Sequence, residues 1–176
     1  MYANKYDSNG SAQMGADAEE TFKSLISKYG GECEKANFYQ ETREHWDFKV
    51  SQSELGAPKR VDVKAMKKLT RTDMEPNDEI VWIEFKNVNG NDGWLYGKAD
   101  YIAFQVKEGF LMINRKRLAR KCERLVGFVK EQIHEGIAGN IKDFYRLISR
   151  RNRQDVITII KKADLLKMKH TLLEYK

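Results

Sequence analysis

The run KRVDVKAMKK, residues 59–68, alternates charge with aliphatic bulk at a period of two. In an extended strand successive side chains point to opposite faces, so Arg60, Asp62 and Lys64 share one face and Val61, Val63 and Ala65 the other. The same rule sorts HWDFKV, residues 45–50, into His45, Asp47 and Lys49 against Trp46, Phe48 and Val50. It sorts VWIEFK, residues 81–86, into Trp82, Glu84 and Lys86 against Val81, Ile83 and Phe85. Strands with one apolar face constrain the chain to a sheet that buries that face against a second layer. Three carboxylates and two or three lysines then converge on the opposite face, where solvent is expected. A half-exposed sheet explains any one of these strands equally well; the three together, in this order, ask for chemistry.

The rest of the chain reads as mixed α and β. GADAEETFKSLISKYGG predicts a helix from about Gly15, with Phe22, Leu25, Ile26 and Tyr29 on one face and Gly30-Gly31 as its stop. Residues 1–13 are polar and read as a flexible tail. Strands are predicted over 32–38, 46–51, 60–67, 79–87, 100–106 and 110–114, separated by the turn-rich stretches SELGAP, TRTDMEPNDE and NVNGNDG. Residues 115–129 carry Leu118, Cys122 and Leu125 at helical spacing, DVITII at 155–160 is β-branched enough for a late strand, and 163–173 reads as a closing helix. Residues 126–154 have no decisive period. With 176 residues and two prolines, 14–176 reads as a single domain whose part from about 115 to 176 is basic.

Several classes of protein are disfavoured. The longest apolar runs, IVWI at 80–83 and FLMI at 110–113, are too short to span a bilayer, and no signal-peptide pattern opens the chain, so a cytoplasmic location away from membranes is expected. Cys33 and Cys122 have no partner at metal-ligand spacing and are expected as reduced, buried thiols; His45, His134 and His170 are scattered, which argues against zinc. Charge is segregated instead. Through residue 100 there are 14 Lys and Arg against 18 Asp and Glu, a net −4; beyond it there are 18 against 8, a net +10. An acidic half with spaced carboxylates joined to a basic half suits a protein that holds and cuts a polyanion. Arg146, Arg150, Arg151 and Arg153 are the densest arginine group and suit phosphate contacts, with a solvated surface as the plain alternative.

Gly15-x-x-x-Glu19 on the helix, then Asp47, then Asp62-x-Lys64 resemble, in that order, the PD-(D/E)XK nuclease superfamily, whose restriction-endonuclease-like fold includes archaeal-type Holliday junction resolvases and many phage nucleases. WIEFKNVNGNDGWLYGKADYIAF, residues 82–104, is similar to the strand, loop and strand that follow the catalytic lysine in phage-type members. RRNRQDVITIIKKADL, residues 150–165, is similar to their basic C-terminal segment. The resemblance spans roughly residues 14–166. Trp46 stands where the motif has proline, and the acidic residue of the D/E-x-K triplet is Asp62.

The resemblance implies an α/β fold with a central mixed sheet flanked by helices. It implies a metal-dependent endonuclease acting on DNA in phage-type processing or recombination, in a host cytoplasm if phage-encoded; a homodimer would suit symmetric cutting of two strands. Phosphodiester hydrolysis needs an activated water and stabilisation of charge on the phosphate oxygens. Magnesium, for which manganese would substitute, prefers oxygen ligands and keeps several waters, so Asp47, Asp62 and the Val63 carbonyl form a reasonable shell. Lys64 would position or activate the water, or neutralise developing charge. Glu19 would reach in from the helix, and Glu84 would be auxiliary. Glu84-Phe85-Lys86 is a rival E-x-K triplet; Asp62-Val63-Lys64 is preferred because it accounts for Asp47. Trp94, Tyr96 and Tyr101 offer faces for an unpaired base or ordinary packing, with packing expected of Tyr101. A non-catalytic nucleic-acid-binding protein on the same fold and an RNA-directed nuclease are the alternatives.

Overall fold

The computed structural model describes residues 9–52, 56–70, 73–127, 133–136 and 144–175. Along the chain come α1 (Asn9–Lys28), β1 (Glu32–Lys35), a π-helical turn (Gln40–Glu44), β2 (Phe48–Ser51), β3 (Lys59–Lys64) and β4 (Ile80–Lys86). A 3-10 turn (Trp94–Tyr96), β5 (Tyr101–Val106), β6 (Gly109–Asn114) and α2 (Arg115–Val126) follow. The chain continues with β7 (His134–Gly136), β8 (Ile148–Arg150), β9 (Val156–Lys161), α3 (Lys162–Leu166) and β10 (His170–Glu174). Helix α1 begins at Asn9, so residues 9–13 are helical rather than part of a tail; residues 1–8 of that expected tail lie outside the described residues. So do parts of the turn stretches, at 53–55 and 71–72, and much of 126–154.

Among the described residues the fold is mixed α/β with two sheets. A six-stranded mixed sheet has the order β1-β2-β3-β5-β6-β10, and in it β3 and β5 run parallel while the other paired neighbours run antiparallel. The connection between those two includes β4, which belongs to a separate four-stranded sheet of order β4-β9-β8-β7. The large mixed sheet with helices packed on it agrees with the expected central mixed sheet, and the second sheet is an addition to it. Helix α1 covers one face of the large sheet: Phe22 and Ile26 pack on Phe48, Val50, Val61 and Val63, and the Phe22 and Phe110 rings meet edge-on at 5.2 Å. The opposite face, with Ile102, Phe104, Leu111 and Ile113, packs on Ile83 and Phe85 of β4, Val156 and Ile160 of β9, and Leu118 and Cys122 of α2.

The closing helix expected over 163–173 is corrected. It stops at Leu166, and residues 170–174 pair antiparallel with β6. Strand β6 is buried along nearly its whole length, and its free edge needs backbone partners more than a short helix needs another turn. Gly109 permits the closure: with φ at 152°, a Cβ there would lie 1.8 Å from the Leu173 carbonyl oxygen. Among the described residues no helix is long and apolar enough to cross a membrane, and both cysteines are free thiols.

Phe22 ties α1, and with it Glu19, to the sheet. Phe22→Ala is expected to lower unfolding free energy by about 3–5 kcal/mol in a urea titration, since the cavity would open beneath a fully buried ring.

Candidate active site

Strand β3 lies inside the large sheet between β2 and β5, and at Asp62 its polar face meets the second layer rather than water. Asp62 is only 2% exposed, against the solvent-facing position that alternation alone implies. Its register partner Ile102, and Phe104 opposite Lys64, both belong to the core between the sheets. Trp94 roofs the end of the strand, with the Lys64 ammonium 5.1 Å from the centre of one of its rings. Lys64 Nζ lies 2.7 Å from Asp62 Oδ1, while Asp62 Oδ2 is buried with no hydrogen-bond partner. Burial therefore lifts the Asp62 carboxyl well above the ordinary carboxylate range; Lys64 opposes the shift and Asp47 adds to it. Burial pulls the Lys64 ammonium down, but Asp62, Asp47 and Glu84 outweigh it and hold the group above its ordinary value.

Asp47 stands immediately ahead of β2 and extends the pairing with β3. Its N–H donates to the Val61 carbonyl at 2.9 Å, and its own carbonyl accepts from Ala36 N–H at 2.8 Å. Its Oδ2 then accepts from Val63 N–H at 2.7 Å, completing with a side chain the edge that β2 no longer covers. A residue's N–H and C=O leave an extended strand on the same edge, so the Val63 carbonyl also points toward the Asp47 side.

Glu19, Glu41 and Asp47 each offer a carboxylate oxygen within 4.8 Å of the others. Glu19 and Asp47 were expected; Glu41 was missed. It sits on the π-helical turn, whose start is held by reciprocal bonds: Asn37 N–H to Gln40 Oε1 at 2.9 Å and Gln40 N–H to Asn37 Oδ1 at 3.0 Å. The Asn37-x-x-Gln40 spacing of a capping box was the available sequence signal. Lys35 Nζ bridges Glu19 at 2.5 Å and Glu41 at 2.7 Å. Glu19 is raised by burial, against the opposing pull of Lys35. The turn ends at His45 in the left-handed region (φ 55°, ψ 63°), packed on Gly97, where a Cβ would lie 2.6 Å from His45 Cβ. Burial, with Lys64 adding, lowers the His45 imidazole and favours its neutral form.

Glu84 reaches the same region from the edge of the second sheet. Burial raises it, while Lys64 and the Trp94 backbone N–H favour its charged form. Gly93 makes that approach possible, since a Cβ there would meet the Glu84 carbonyl oxygen at 2.5 Å. Lys86 lies past a break in register between Glu84 and Lys86, and its backbone bridges Asp92. Of the two triplet lysines, Lys64 is the one paired with Asp62.

The remaining candidates separate. Trp94 is core, Tyr96 donates to Glu123 Oε1 at 2.9 Å, and Tyr101 packs on the α1-side core. Arg150 forks onto the fully buried Asp155, its Nε and Nη2 both meeting Oδ2, so its guanidinium is held by the fold. Arg146 and Arg151 are exposed and Arg153 half-buried. Burial pushes the Cys33 thiol up to about 11 and the Cys122 thiol to about 12, so neither is a ready nucleophile. Comparison of the chain with protein-family models, with curated proteins and with solved structures finds no match.

Because folding raises the Asp62 pKa, its contribution to stability is full below the ordinary carboxylate value of about 3.9 and is lost as pH rises through the folded-state value. With a chelator present, the unfolding free energy should therefore fall as pH climbs from about 4 toward neutrality. Asp62→Asn should flatten this fall without abolishing it, since Glu19 and Glu84 titrate in the same sense. Urea titrations across that range check it; an unchanged profile in the variant would assign the pH dependence to other groups.

Proposed function

We propose that the chain is a metal-dependent nuclease of the restriction-endonuclease-like class that hydrolyses DNA phosphodiester bonds. One observation carries the reading: Asp62 Oδ2 is buried without a donor, beside Asp47, while Lys64 covers the other oxygen of the same carboxylate at 2.7 Å. Such an oxygen is satisfied by a proton or a cation. The order of parts supports the same reading, with Glu19 on α1, Asp47 ahead of β2 and Asp62-Val63-Lys64 ending β3.

The surrounding donors are oxygens, which fits magnesium or manganese better than a softer ion. Asp47 and Asp62 would hold it with the Val63 carbonyl; among the described residues Glu19 and Glu41 gather with Asp47 and not with Asp62. When bound, the ion would supply an activated water and charge stabilisation at the phosphate. Asp47 is already oriented by Val63 N–H, so binding would require little reordering of that ligand. Lys64, 2.7 Å from Asp62, would position or activate the attacking water, or draw in the scissile phosphate and stabilise charge there. The Lys35 ammonium neutralises Glu19 and Glu41, and a divalent ion at those two carboxylates would compete with it.

The test is cleavage of single-stranded, duplex and branched DNA, and of RNA, by the purified chain with magnesium, manganese or a chelator. Product is expected with either metal and none with the chelator. Metal-independent cleavage at the same rate would sink the proposal, preference for RNA would make it an RNA-directed nuclease, and tight binding without product would favour a non-catalytic nucleic-acid-binding protein. Asp62→Asn should abolish product while preserving substrate binding. In single-turnover assays Lys64→Ala should lose on the order of 10²–10³ in rate, the cost typical of removing one group that stabilises transition-state charge. Lys86→Ala should stay within a few-fold; the reverse ranking would hand catalysis to Glu84-Phe85-Lys86.

A further inference from the structure

Just ahead of the π-helical turn that carries Glu41 stand two aromatic residues left in solvent, Phe38 at 81% exposure and Tyr39 at 64%. They belong to neither core cluster. The turn they precede ends at Glu44, whose carbonyl accepts from Lys98 N–H at 2.6 Å, and Lys98 lines a cavity of about 330 Å³ together with Arg60, Arg115 and Lys116. Arg60 and Arg115 are close enough to repel one another. Two carboxylates temper the four cations: Asp100 accepts from Arg60 N–H at 2.9 Å and faces its Nε at 3.5 Å, and Glu44 pairs with Lys98 at 2.7 Å. Arg115 also gives its Nε and Nη1 hydrogens to the Ala99 and Leu95 carbonyls, at 2.8 and 3.0 Å, but those carry no net charge and positive charge remains in excess. A smaller neighbouring cavity shares Asn114 with the first and continues the positive lining with Arg117 and Lys169.

The position of this surface is set by β3. Arg60 precedes Asp62 by two residues on the same face of the strand, about 7 Å along it. The cavity and the carboxylates are therefore neighbours on one strand, and the aromatic pair shares its segment with Glu41. Duplex nucleic acid presents phosphates but keeps its bases stacked inside; only unpaired bases offer ring faces to protein aromatics. An anionic lipid surface pressed on these rings would bring like charge against Glu41 and Asp47.

We propose that Phe38 and Tyr39 stack on unpaired bases while the cavity of Arg60, Lys98, Arg115 and Lys116 holds the adjoining phosphates, so that the strand delivered to the carboxylates is single-stranded nucleic acid. The proposal rests on the nuclease reading for its purpose, but its test does not depend on cleavage. With metal chelated, fluorescence anisotropy on the full chain compares a short labelled single-stranded DNA, the same sequence as RNA, and the duplex. Either single strand should bind more tightly than the duplex, and whichever binds best identifies the sugar. Phe38→Ala and Tyr39→Ala should each weaken single-strand binding roughly tenfold and leave duplex binding unchanged, with Tyr39→Phe retaining the wild-type affinity. Lys98→Ala with Lys116→Ala should lower the slope of log affinity against log salt by about 1.4. All four residues are exposed, and circular dichroism checks that the variants fold. Equal affinity for duplex and single strand, or unchanged single-strand binding in both aromatic variants, would overturn the proposal even if the chain cleaves DNA. Aromatic-dependent single-strand binding without cleavage would uphold it while the nuclease reading fails.

Discussion

The contact between Lys64 Nζ and Asp62 Oδ1 governs what the middle of the large sheet can be. It lies on an interior strand whose two neighbours are both paired, beneath an indole and beside the core between the sheets. A carboxylate so buried cannot remain charged without a counter-charge, and removing one partner of a buried pair typically costs about 3–5 kcal/mol. Lys64 meets one oxygen only. The other is left to a proton or a cation, and Asp47, fixed by Val63 N–H, faces the same place. A well-packed apolar pair in the same place is often as stable or more so, so the buried charges are not there for stability alone.

The second sheet supplies the roof and the outer charges. Gly93 lets the loop after β4 lie against Glu84, and that loop sets Trp94 over Lys64. Behind Glu84 comes Arg150, and behind Arg150 the fully buried Asp155, so charges alternate in sign from Asp62 outward. Part of the excess positive charge of the second half is thus consumed inside the fold. Lys162 is another such case, paired with the buried Asp78. Net charge along a sequence overstates what is available to a polyanion, because it does not distinguish a solvated cation from one already neutralised.

Two features of the π-helical turn act together. Its reciprocal Asn37–Gln40 bonds fix the start, and His45 in the left-handed region fixes the exit, so Glu41 is directed at Glu19 and Asp47 while Phe38 and Tyr39 remain outside. Departures from α-helical spacing are common at functional sites because they redirect side chains that a regular turn would spread around its axis. Gly97 matters for the same reason, since a larger residue would collide with His45 and with the Glu44 carbonyl.

Period-two alternation made β2, β3 and β4 legible in the sequence, and with them the shared face of Asp62 and Lys64 on β3, because the direction of a side chain from a strand is a local property. The apolar face of α1 was legible for the same reason. What lies above a polar face is not local. Asp62 is buried because the face it shares with Ile102 and Phe104 of the neighbouring strand, some forty residues away in the chain, packs on the second layer, and no pattern within RVDVKA encodes that packing. The same holds for β4 leaving the central sheet, for Arg150 turning inward to Asp155, and for residues 170–174, whose apolar spacing suits a helix until the open edge of β6 offers backbone partners. In each case a hydrogen bond, a counter-charge or a covering ring from a distant segment decides between alternatives that local propensity leaves nearly equal in free energy, and only the folded chain brings that segment within reach.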